Sequence, residues 1–113
     1  SMWGRQAMDL GVKGKTALIT GASKGIGRGV ADSLAAEGCN LRLVARSADL
    51  LEQAAAEIRD AHGVTVSVHP CDITGPGVID ALAADGIPDI LVNNAGAIPA
   101  GDIEAVVEDR WRD

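Results

Sequence analysis

The stretch 20-TGASKGIG-27 sits between two patterns of different period. Before it, 16-TALIT-20 is a short apolar, β-branched run of the kind that forms a buried strand. After it, Ile26, Val30 and Leu34 recur four apart, which predicts one face of a helix, and Gly38 stands where that helix would close. A glycine-rich turn leading from strand straight into helix decides the fold. Gly21 permits a tight exit from the strand, Gly25 lets backbone approach a diphosphate with no Cβ between, and Gly27 lets the helix pack close to the sheet. The helix N-terminus then presents free N–H groups and the positive end of its dipole, with Ser23, Lys24 and Ile26 alongside.

Working outward, 41-LRLVA-45, 64-VTVSV-68 and 90-ILV-92 read as three further strands. Leu50, Leu51, Ala54 and Ile58 predict a second helix, with Ser47 as N-cap and Gly63 as its stop. Val78, Ile79 and Leu82 predict a short third helix closed by Gly86 and Pro88; Ile103, Val106 and Val107 begin a fourth. Alternating strands and helices imply an α/β fold, a Rossmann-type doubly wound parallel sheet with right-handed crossovers. The expected strand order is 3-2-1-4, one half of such a sheet. Residues 13–113 form the expected domain, residues 1–12 a loose arm, and Gly75-Pro76-Gly77 a turn. The last helix, 102-DIEAVVEDRWRD-113, carries no C-cap, so the expectation is a cofactor-binding half cut from a longer domain.

The composition narrows the partners. Net charge is −6, which argues against a nucleic-acid backbone and an anionic membrane surface. No apolar run approaches the roughly 20 residues of a membrane span. The opening 1-SMWGRQAM-8 lacks the apolar centre of a signal peptide. With no Phe or Tyr and two Trp, the core must be aliphatic. Cys39 precedes the second strand and Cys71 follows the third, so the thiols fall at opposite ends of a parallel sheet, too far apart to bridge. That suits a reducing cytoplasm. Neither cysteine has a partner at metal-ligand spacing, and His62 and His69 read as surface or loop residues.

The Gly-x-x-x-Gly-x-Gly spacing after Thr20, paired with 93-NNAG-96 after the fourth strand, resembles the short-chain dehydrogenase/reductase family, from about Lys13 to the end. The resemblance implies that 93-NNAG-96 steadies the central sheet and brings Asn94, with Ala95 and Gly96, near the cofactor ribose. It implies that Asp72 contacts the adenine amino group and that Ile73 lies along the adenine ring. Asp72 is also placed to cap a turn before Gly75.

An NAD enzyme of this fold ends its second strand with an acid that binds the ribose 2′-OH. Here that place is Ala45, followed by Arg46 and Ser47, while Lys24 sits in the glycine loop. Two cations and no carboxylate favour a 2′-phosphate, hence NADP over NAD. The resemblance further implies hydride transfer between NADP(H) and a small-molecule carbonyl or alcohol, using a Tyr-x-x-x-Lys pair, a serine and a helix asparagine. The chain has no tyrosine, and Ser23 and Ser67 stand in the wrong places, so no catalytic residue is assigned and the chain alone is expected to be inactive. An open fourth-strand edge leads us to expect a homo-oligomer. The other readings are a non-catalytic dinucleotide-binding or regulatory module, and a nucleoside-cofactor methyltransferase, which Ala45 disfavours.

Overall fold

Residues 11–112 are described by a computed structural model; residues 1–10 and 113 lie outside it, as do the side chains of Ala95 and residues 109–112. Most of the expected arm therefore falls outside the described residues. Its last member, Val12, is buried in the core, and its carbonyl accepts from the Lys15 amide at 2.9 Å, so the folded body already includes it.

The chain alternates β1 (Thr16–Thr20), α1 (Gly25–Ala36), β2 (Asn40–Ala45), α2 (Ala48–His62), β3 (Val66–Pro70), α3 (Val78–Ala84), β4 (Ile90–Val92) and α4 (Ala100–Arg112), with a 3-10 turn at Asn94–Gly96. All strand pairs are parallel and the order is β3-β2-β1-β4, as expected. The pleat sends alternate residues to opposite faces. Ala17, Ile19, Leu41 and Leu43 meet Ala31 and Ala35 of α1 and Leu51, Ala55 and Ile58 of α2. Leu18 and Val44 face the other way, toward Leu82 of α3.

Three expectations need correction. The buried stripe of α1 is Gly27, Ala31 and Ala35; Val30 and Leu34 flank it, and Ile26 is 78% exposed. Close approach of helix to sheet selects the small residues over the larger aliphatics beside them. Leu50 does not join the buried face of α2 either, because Leu51 takes that place and adjacent residues on a helix point about 100° apart. The third strand lies two residues later than its apolar run. Thr65 is drawn to β2 by its amide, which donates to Asn40 Oδ1 at 3.0 Å, and the regular ladder begins at Val66. It continues to Pro70 opposite Ala45, a position open to proline because β3 is an edge strand.

The helix ends follow the sequence closely. Ser47 Oγ accepts from the Leu50 amide at 3.4 Å, and Gly63 closes α2 in the left-handed conformation. Past α1, Gly38 has φ of 85° and its amide donates to the Ala35 carbonyl at 2.9 Å. The end of α3 is closed differently. Arg42, a strand residue only 9% exposed, donates to the Leu82 carbonyl at 2.6 Å and to the Gly86 carbonyl at 2.9 Å. A guanidinium thus adds charged donors to carbonyls at and just past the helix end, at the negative end of the helix dipole.

Arg42→Ala removes both charged donors, one to the buried Leu82 carbonyl and one to the carbonyl of exposed Gly86. It is expected to lower the unfolding free energy by about 3 kcal/mol in urea denaturation. A loss below about 1 kcal/mol would show that water replaces the guanidinium at no great cost.

Candidate functional site

The carboxyl ends of the parallel strands open into a crevice of about 710 Å³. One wall is the turn after β1, with Thr20, Gly21, Ser23, Lys24, Gly25 and Ile26. Arg46, Ser47 and Leu50 enter from the end of β2 and the first turn of α2. Cys71, Asp72, Ile73 and Thr74 come from the end of β3, and Asn94 and Ala97 from beyond β4. Residues singled out on four separate stretches of sequence therefore meet at one place.

The turn after β1 is shaped by contact. A Cβ on Gly27 would lie 2.1 Å from the Gly21 carbonyl oxygen, so no side chain fits there. Gly27 accordingly sits beneath the crevice and supports its floor. Gly21 and Gly25 both have φ of 62°, and a Cβ on Gly21 would also crowd Asn94 Nδ2 at 2.9 Å. Lys24 caps α1 in an extended conformation and offers its first-turn amides no side-chain oxygen. The helix end is thereby left open to an anionic ligand.

Asparagines hold the far wall. Asn93 makes a reciprocal pair with Ile98: its Nδ2 donates to the Ile98 carbonyl at 2.6 Å, and its Oδ1 accepts from the Ile98 amide at 3.1 Å. This closes the loop between β4 and α4. Asn94 Nδ2 lies 3.5 Å from the Gly21 carbonyl, and Thr20 Oγ1 is 3.4 Å from the carbonyls of Val92 and Asn94. The turn after β1 and the turn after β4 are thus fastened together. Gly96, with φ of 62°, is exposed in the 3-10 turn and does not line the crevice; the side chain of Ala95 lies outside the described residues.

Asp72 does cap its turn. Its Oδ1 accepts from Thr74 Oγ1 at 2.6 Å and from the Thr74 amide at 3.0 Å. The Thr74 hydroxyl, then the amide, and then the positive charge of Arg46 hold the Asp72 carboxyl below its ordinary range. Cys71 beside it has its thiol pushed up, by burial first and by Asp72 second. His69 is not a loop residue but a half-buried member of β3, its pKa lowered by burial and by Arg42; His62 ends α2, 3.7 Å from Asp32. Both cysteines are free, and Cys39 is fully buried. Thr74, Cys71 and Leu50 were not expected at the site. A signal for Leu50 was present, since Leu50 and Leu51 cannot both face the core.

Residues 15–113 match the family model described as short chain dehydrogenase. The chain belongs to the short-chain dehydrogenase family. It is 46% identical over 90 residues to a fatty acyl-CoA reductase of Acinetobacter baylyi, a match covering 75% of this chain and 30% of that protein. It is 39% identical over 108 residues to the sorbose reductase sou1 of Schizosaccharomyces pombe, covering 88% of this chain and 42% of the relative. Among solved structures, L-sorbose reductase from Gluconobacter frateurii, complexed with NADPH and L-sorbose, superposes with a TM-score of 0.73 at 42% identity. That match covers 77% of this chain and 35% of the other. An NAD+-bound xylitol dehydrogenase superposes with a TM-score of 0.66 at 37% identity, covering 74% of this chain and 34% of the other. The chain thus spans between 30% and 42% of the length of these family members.

Thiol labelling tests the crevice geometry. A maleimide is expected to modify Cys71 and spare Cys39 in the folded chain. Cys71 should react more slowly than free cysteine at the same pH, because a raised pKa leaves less thiolate. Asp72→Asn should speed it by removing a neighbouring negative charge. Equal labelling of both thiols would contradict the burial of Cys39.

Proposed function

We propose that this chain forms the adenosine-phosphate grip of an NADP(H)-dependent oxidoreductase acting on a small-molecule carbonyl or alcohol. The observation that carries the cofactor preference is that Lys24 and Arg46 line the same crevice at the end of β2, where Ala45 stands in place of an acid. Both cations are exposed and reach the crevice from different elements, as a doubly charged 2′-phosphate requires.

The residues present fit the cofactor. The Gly21, Gly25 and Gly27 turn and the uncapped first turn of α1 would hold the diphosphate, with Ser23 and Ile26 at its side. Arg46, Lys24 and Ser47 would hold the 2′-phosphate. Asp72 and Ile73 would meet the adenine, and Asn94 would border the ribose, with Ala95 and Gly96 following it in the same turn. When bound, NADP(H) supplies or accepts the hydride. The chain's own residues bind, orient and neutralise; none of its 113 residues is a tyrosine, and we assign none of them a proton transfer. In this reading the chain alone binds cofactor without turnover. Two free cysteines support a reducing, cytoplasmic setting. No helix among the described residues is long and apolar enough to cross a membrane.

Titration with NADPH and NADH, followed by nucleotide fluorescence, tests the preference. Lys24→Ala with Arg46→Ala should weaken NADPH at least about tenfold and leave NADH nearly unchanged. Ala45→Asp should reverse the preference. Equal affinity of the unsubstituted chain for both nucleotides would overturn the assignment of the 2′-phosphate site.

The reading includes a homo-oligomer. Among the described residues β4 pairs only with β1, so its other edge is open, and nearby Ile87 is 42% exposed. Light scattering across a concentration series should show self-association, and a well-folded monomer at high concentration would refute it.

A further inference from the structure

Three large hydrophobic side chains are strongly exposed among the described residues: Ile26, Leu50 and Ile87. Ile26 belongs to the turn already assigned to the diphosphate. Leu50 has no such assignment, yet it lines the crevice beside Arg46 and Ser47 while 46% exposed. The core does not explain its place. The buried face of α2 is Leu51, Ala54, Ala55 and Ile58, and Leu50 stands off that stripe. Its amide is tied to the Ser47 hydroxyl, so the helix cap fixes where the side chain emerges.

The crevice is lined as well by Ile73, which packs with Leu18, Val44 and Leu82 on the α3 face of the sheet. Leu50 comes from α2, on the opposite face. The two aliphatic side chains thus reach one crevice from the two helical layers, with Asp72 next to Ile73 and Arg46 near Leu50. Apolar walls on both sides and charged groups at the rim suit a flat heteroaromatic ring, whose faces are apolar and whose edge is polar.

We infer that Leu50 is the outer wall of the base site, closing on the adenine face opposite Ile73. This rests on the dinucleotide reading above. It divides the grip into two physically different parts. The Lys24 and Arg46 contacts are electrostatic and weaken with salt, whereas the Leu50 contact is hydrophobic and does not.

The test measures binding of NADPH and of adenosine 2′-phosphate to the whole chain at low and high salt. Completing the burial of a half-exposed leucine corresponds to a change of about fivefold. Leu50→Ala is therefore expected to weaken both ligands by that factor, equally at both salt concentrations, with thermal unfolding unchanged. Leu50→Met, which keeps the volume, should restore affinity to within about twofold. Unchanged affinity in Leu50→Ala, or a loss that disappears at high salt, would overturn the role of Leu50 and leave the cofactor reading standing. Failure of the unsubstituted chain to bind either ligand would overturn both.

Discussion

The architecture depends on a steric limit at one position. Residue 27 can carry no side chain, because the carbonyl oxygen of Gly21 occupies the space a Cβ would need. This contact lets α1 begin almost against the backbone that leaves β1. It sets the depth of the crevice and aims the helix end into it. The same turn touches Asn94 Nδ2, which ties the floor of the crevice to the chain beyond β4. A larger residue at 27 would push the helix outward and separate groups that now converge. Helix packing and site geometry are here a single constraint.

Polar groups hold the two ends of the sheet in different ways. At the amino ends of the strands, Asp89 joins β4 to β1: its amide donates to the Thr16 carbonyl, and its Oδ2 accepts from the Thr16 amide, both at 2.9 Å. On the outer face of α1 and α2, Arg28 bridges Asp32 at 2.9 Å and Glu57 at 2.8 Å, an exposed arrangement of modest energetic weight. Arg42 is different because it is buried. It anchors α3, the helix that follows the Asp72–Thr74 wall, to β2, the strand on which that helix packs. The position of that wall therefore depends on a residue outside the site.

Where the sequence was readable, local chemistry and tertiary demand agreed. The strand order and the Ser47 and Gly63 caps follow from short patterns, while the meeting of the glycine turn with Asp72 and Asn94 was legible only through the family resemblance. Where it misled, the neighbouring layer decided. Ile26 fits a helical apolar period, but close packing against the sheet favoured Gly27 and Ala31 on the buried side. Val64 and Thr65 look like strand residues, but Asn40 captures Thr65 before the ladder begins. Arg42 lies inside the strand run 41-LRLVA-45, and only the arrival of α3, some forty positions later, gives it a role. No local pattern encodes such a partner.

The small residues of α1 carry one more consequence. In most cores the damaging substitution is truncation, which leaves a void. Against this sheet α1 buries glycine and alanine, so there is little to truncate. The vulnerability runs the other way: each added methyl must displace a strand, and the layer is intolerant of growth where ordinary cores are intolerant of loss. Larger side chains fit this helix only on its outward face and flanks, and the spacing between helix and sheet is set by the small residues between them.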